Sequence, residues 1–201
     1  VSNVTNMEGM FNFCLQFSQP IGNWERTGST VGNVTNMRHM FDATPSFGWE
    51  SGPPLTTNPP HNFNQDISLW NVSNVTSMRG MFTGAQSFNQ DISRWVVSKV
   101  TSMEGMFFAA DAFNSNISEW DVSSVTRMQK MFNNAGSFNQ PIDRWNVSNV
   151  TNMHDMFWNA GSFNANISEW DVSRVTTMDK MFRNARSFNQ PIDRWNVSNV
   201  G

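Results

Sequence analysis

The chain has 201 residues, a formal charge of −3 from 13 basic and 16 acidic side chains, and a charged fraction of 14%. So sparse and balanced a charge argues against a nucleic-acid surface or an electrostatic membrane patch, and no apolar run approaches the ~18 residues of a membrane span. A lone Cys14 excludes an intrachain disulfide framework and a cysteine-based zinc cluster, while 27 Asn and no Tyr mark a biased composition.

That bias comes from a repeat. Phe63, Phe88, Phe113, Phe138, Phe163 and Phe188 recur every 25 residues, each followed by Asn, which sets the organisation before any secondary structure is assigned. Numbering Phe113–Ser137 as slots 1 to 25 aligns the rest of the chain. Slot 8 is Trp24, Trp70, Trp95, Trp120, Trp145, Trp170 and Trp195; slots 16 and 19 hold all 14 Met, and slot 5 all seven Ile. The chain enters at slot 10 with Val1 and leaves at slot 14 with Gly201, so it reads as a mature, trimmed or fragmentary chain of about eight rungs, one domain over 1–201. Residues 25–30 form a short insertion, and 47–62, with Pro53, Pro54, Pro59 and Pro60, form an irregular Pro/Gly-rich loop. Phe113–Ser162 resembles the stretch from Phe163 onward closely enough to suggest a duplicated pair of 50 residues.

Within each unit, Trp at slot 8 and Val at slot 10 alternate with polar neighbours, the pattern of a short half-buried strand. Met, Met, Phe and Ala at slots 16, 19, 20 and 23 follow i, i+3, i+4, i+7, which predicts a short helix or 3₁₀ turns with Thr126 as N-cap. Such a unit closes no core alone and must stack, giving an α/β solenoid with one short parallel strand and one short helical segment per 25-residue rung.

The pattern I-x-x-W-x-V-S-x-V-T-x-M-x-x-M-F-x-x-A-x-x-F resembles the BspA-like leucine-rich repeats of microbial surface proteins. Cys14 stands at slot 23, where the related form carries Cys. The chain departs from that form with Trp at slot 8, Ser at slot 11 and Met at slot 16. The resemblance implies a right-handed leucine-rich-repeat-like solenoid, with a parallel sheet on one face and short helices on the other, in a secreted or cell-surface protein. It carries over no catalytic residues.

Stacking turns each slot into a column. Slot 2 gives an Asn ladder from Asn64 to Asn189, read as structural because amides both donate and accept. The Trp column could stack on sugar rings or bases, but it shares its side of the strand with Val and is read as core. Slot 7 alternates in sign through Arg94, Glu119, Arg144, Glu169 and Arg194, and slot 9 adds Asp121 and Asp171. These residues form the expected partner-binding face. N-x-S/T sequences at Asn3, Asn33, Asn71, Asn74, Asn116, Asn146, Asn149, Asn166 and Asn196 are candidate glycosylation sites for a secreted chain.

Nothing points to an enzyme. His39, His61 and His154 sit in unrelated contexts without metal-ligand spacing, and no phosphate loop, dinucleotide fingerprint or G-x-S-x-G occurs. The turns bearing Asp66, Asp91, Asp143 and Asp193 offer one carboxylate each, too few for Ca²⁺. No cofactor or metal is therefore expected. The leading expectation is a non-enzymatic extracellular or cell-surface module for adhesion to a protein or glycan. The alternative is a segment of an extracellular filament built from further copies end to end; binding to an ordered surface such as ice fits the variable outward charges poorly.

Overall fold

The computed structural model describes residues 1–25, 30–44 and 61–201. Six parallel bridges, Asn6–Asn36–Ser77–Ser102–Arg127–Asn152–Thr177, all at slot 15, tie seven rungs into one stack. Around each bridge the N–H groups of slots 16, 18, 20 and 22 donate to carbonyls of the next rung. In the middle of the stack Met128 donates to Asn152 at 3.1 Å, Lys130 to His154 at 2.9 Å, Phe132 to Met156 at 2.9 Å and Asn134 to Trp158 at 2.7 Å.

These contacts correct the expected fold class. The chain is not an α/β, right-handed leucine-rich-repeat-like solenoid with a strand and a helical segment per rung. Among the described residues the one regular element is a 3₁₀ turn, Gly22–Glu25, and parallel pairing is confined to isolated bridges. The stretch read as a strand is a pair of turns, closed by Trp120 N–H to Ile117 C=O at 3.2 Å and Val125 N–H to Val122 C=O at 2.9 Å. The slots read as a helix carry the inter-rung ladder. Thr126 is no helix cap: its N–H and hydroxyl both donate to the Thr101 carbonyl, at 2.9 and 3.2 Å.

The physical reason lies at slots 18 and 22. Slot 18 is left-handed in all seven rungs, with φ between 53° and 62° at Gly9, His39, Gly80, Gly105, Lys130, Asp155 and Lys180. Slot 22 is left-handed at Phe13, Gly84, Ala109, Asn134, Asn159 and Asn184. A helix tolerates no such residue. Instead each becomes the third residue of a type II-like turn, closed by Met131 N–H to Met128 C=O at 3.1 Å and Ala135 N–H to Phe132 C=O at 3.0 Å. Two consecutive turns of this kind bury Met, Met, Phe and Ala as a helix would, while freeing alternate N–H groups to face the next rung.

The apolar slots then form continuous columns. Phe rings at slots 20 and 1 stack within a rung, at 3.7 Å for Phe107–Phe113 and 3.8 Å for Phe132–Phe138. Slot-20 rings also stack between rungs, at 5.8 Å for Phe107–Phe132 and 5.6 Å for Phe132–Phe157. Each buried Trp adds a hydrogen bond that Phe could not make. Trp120 Nε1 donates to Ile92 C=O and Trp145 Nε1 to Ile117 C=O, both at 3.1 Å, and the same contact recurs from Trp70 to Trp195. That settles the Trp column as core.

The Asn ladder has its expected structural role: Asn89, Asn114 and Asn139 Oδ1 accept the backbone N–H of Asn114, Asn139 and Asn164 at 2.8–2.9 Å. A second ladder, unforeseen in the sequence, joins the slot-22 amides, Asn159 Nδ2 to Asn134 Oδ1 and Asn184 Nδ2 to Asn159 Oδ1, each at 2.9 Å.

Most of the two insertions, 25–30 and 47–62, lies outside the described residues, which leave out 26–29 and 45–60. The stack runs across both without a break in register. Phe63 meets Phe41 at 3.9 Å, Trp70 meets Trp24 at 5.5 Å, and Thr76 N–H donates to Thr35 C=O at 2.8 Å. No helix among the described residues is long and apolar enough to cross a membrane.

Candidate functional site

Turn geometry, not a sheet, positions the expected partner-binding face. Slots 7 and 9 flank the buried Trp, so Arg94, Glu119, Arg144, Glu169, Arg194, Asp121 and Asp171 all point outward and are exposed. The alternating charges pair across rungs at the Glu-to-Arg steps. Arg144 lies 3.5 Å from Glu119 and Arg194 3.2 Å from Glu169, the same contact in both halves of the duplicated pair. With side chains about 70% exposed, each contact contributes ~0.2–1 kcal/mol and is screened by salt. Leu69 at slot 7 and Val96 at slot 9 interrupt the charges with two exposed apolar side chains on consecutive rungs.

The slot-9 aspartates are built into the turns. Asp121 Oδ1 accepts from Ser123 N–H at 3.1 Å and Asp171 Oδ1 from Ser173 N–H at 3.0 Å. Hydrogen bonds from the serine side chain and backbone lower both carboxyl pKa values, as they do for Asp91 beside Ser93. These groups therefore remain acceptors at neutral pH, a poor basis for general-acid chemistry.

The candidate glycosylation sites fall into two sets. At slot 12 the nitrogen that would carry a glycan is already a donor between rungs: Asn33 Nδ2 to Ser2 C=O at 2.6 Å, Asn74 to Gly32 and Asn149 to Ser123, both at 2.7 Å. At slots 4 and 9 the oxygen is engaged instead: Asn116, Asn146, Asn166 and Asn196 Oδ1 accept the N–H of Ser118, Ser148, Ser168 and Ser198. Asn71 makes the same turn with Ser73, and Asn3 is exposed near the start of the chain.

The three histidines do not converge. His39 Nδ1 pairs with Asp42 at 2.8 Å, both side chains buried. His154 bridges Asp179 at 2.7 Å and Asp155 at 3.0 Å on the ladder face. Burial raises the Asp155 carboxyl pKa, and His154 lowers that of Asp179 by hydrogen bonding. Among the described residues no group of three or more His, Cys, Asp or Glu is arranged to hold a metal.

His61 is fully buried, its Nδ1 accepting from Phe63 N–H at 3.4 Å, and burial lowers its pKa from 6.5 to about 4. The unfolded ring takes up a proton near pH 6.5 while the folded one resists, so this contribution to stability is complete above that pH. It falls as the pH drops towards 4, by at most about 3 kcal/mol. Urea titrations at pH 7 and pH 4.5 should show this loss in the native chain and a smaller one in His61→Gln; equal losses in both would contradict it.

Fold and face together describe a tandem-repeat protein whose apolar slots are spent on stacking and whose exposed slots vary. The chain belongs to the family described as Mycoplasma protein of unknown function, DUF285, which matches residues 1–52, 57–140 and 108–201 in tandem. No curated protein and no solved structure matches the chain.

Proposed function

We propose that the chain is a non-enzymatic repeat module that holds a macromolecular partner, protein or glycan, at an extracellular or cell surface. The observation carrying this reading is the division of labour between slots. Ile, Trp, Val, Met and Phe are repeated almost without change to make a rigid stack, while slots 7 and 9 vary through Leu69, Arg94, Val96, Glu119 and Asp121 on the exposed turns. A stack of this kind presents an extended face of fixed spacing, the surface by which repeat proteins commonly bind. The resemblance of the I-x-x-W-x-V-S-x-V-T pattern to BspA-like surface repeats supports the same location and role.

The test is binding of the labelled chain to arrays of recombinant, unglycosylated extracellular-matrix proteins, with Arg94, Glu119, Arg144 and Glu169 replaced by Ala together. These charges are exposed and weakly coupled, so the variant should melt within a few degrees of the parent and lose the array signal. A signal retained by a folded variant would remove the slot-7 face as the site.

A further inference from the structure

We infer that a groove along the inter-rung ladder, apart from the slot-7 face, binds an oxyanion-bearing saccharide, a sugar unit carrying a sulfate or a carboxylate. The groove has a volume of about 360 Å³ and crosses four rungs, lined by Arg38, Arg79 and Arg127 together with Asn36, Ser77 and Ser102. That volume falls in the ~300–1,000 Å³ range of small-ligand sites.

Parallel register concentrates the arginines. Arg38 and Arg79 share slot 17 on bridged rungs, so their backbones are about 4.8 Å apart. Arg127 replaces the usual small polar residue of slot 15 two rungs beyond Ser77, about 10 Å along the stack. Glu8 lies 3.8 Å from Arg38 Nε, and Glu104 3.4 Å from Arg79 Nη2. Among the described residues two carboxylates thus steady two of the three guanidiniums, and the balance there is one net positive charge. Arg127 is exposed and makes no ion pair among the described residues. Asn36, Ser77 and Ser102 add polar side chains to the lining beside the arginines. Guanidinium groups match sulfate and carboxylate oxygens in pairs.

The rest of the lining selects the carrier. An acidic peptide pairing through its backbone needs an open edge, but here the carbonyls and N–H groups are consumed by the next rung: Met78 donates to Ser102 C=O, and Met103 to Arg127 C=O, at 3.1 Å. A nucleic acid would find no aromatic ring to stack on in the lining, and two glutamates beside it. Sugar hydroxyls suit the surface better. Thr76 and Thr101 also line the groove, and their hydroxyls donate inward to Thr35 and Thr76 carbonyls, leaving oxygen lone pairs as acceptors.

Calorimetric titration of the 201-residue protein with a sulfated disaccharide, an unsulfated uronate disaccharide, a neutral disaccharide and inorganic sulfate tests this site. One of the two charged disaccharides should bind, the tighter identifying the oxyanion, and the neutral sugar should not. Arg127→Gln should weaken binding about tenfold, added salt should weaken it further, and Arg186→Gln, on an exposed residue outside the groove, should leave it unchanged. Arg127 is exposed and its variant should fold, so the test does not hinge on Arg38 or Arg79. No heat with either charged disaccharide, unchanged affinity in Arg127→Gln, or sulfate alone binding as tightly would overturn the proposal. So would tighter binding of an acidic peptide or a single-stranded oligonucleotide through the same arginine. The slot-7 face is untouched by these variants, so the two proposals fail separately.

Discussion

Phe132→Ala should lower stability by about 3–5 kcal/mol. The ring is fully buried and lies 3.8 Å from Phe138, 5.8 Å from Phe107, 5.6 Å from Phe157 and 6.3 Å from Trp145, centroid to centroid. Its removal opens a cavity that three consecutive rungs share. In a stack each rung is held mainly by its neighbours, and their backbones, locked by the inter-rung bonds of Phe132 and Met131, cannot collapse to fill the space. Phe182 occupies the same slot near the end of the stack and is only partly buried, so Phe182→Ala should cost distinctly less. Urea denaturation of the two variants gives the comparison. Equal losses would mean that the Phe columns do not couple the rungs.

Gly80→Val is the second large effect, about 3 kcal/mol or more, and its origin is backbone geometry. Gly80 sits at slot 18 with φ 60°, where a side chain costs ~1–2 kcal/mol and a β-branched one more. A Cβ there would lie 2.5 Å from His39 Nδ1, the atom paired with buried Asp42, so the substitution also disturbs a desolvated pair. The reverse exchange, Ala109→Gly, relieves a left-handed residue of φ 53°. It should be neutral to stabilising by about 1 kcal/mol, whereas the same change inside a helix would cost ~1 kcal/mol. Thermal melts of the pair therefore read the sign of the backbone conformation directly.

Those same residues show how far the sequence could be read. The period, the buried identity of every repeated apolar slot and the in-register bypass of both insertions were legible, because a strict 25-residue recurrence of Phe, Trp and Met admits little else. The class of local structure was not. Apolar residues at i, i+3, i+4, i+7 mark a helix when intervening residues are right-handed, and two successive type II turns place the same side chains inward. The discriminating signal was Gly9, Gly80 and Gly105 at slot 18, with Gly84, Asn134, Asn159 and Asn184 at slot 22. Glycine and asparagine four residues apart favour left-handed turns, but Lys130, Ala109 and Asp155 in the same columns masked it. The outward charges of slot 7 were legible as a face, since Trp fixes its neighbours. The arginine groove was not, because Arg38, Arg79 and Arg127 occupy two different slots that only the ladder geometry brings to one surface.

Slots 16 to 22 bond between rungs and not along a helix. Scalar couplings across hydrogen bonds, measured by NMR on the uniformly labelled chain, test it at a single atom. The amide nitrogen of Phe132 should couple to the carbonyl carbon of Met156 in the next rung, across the 2.9 Å bond between them. A coupling to the carbonyl of Met128, four residues back as in a helix, would contradict the account.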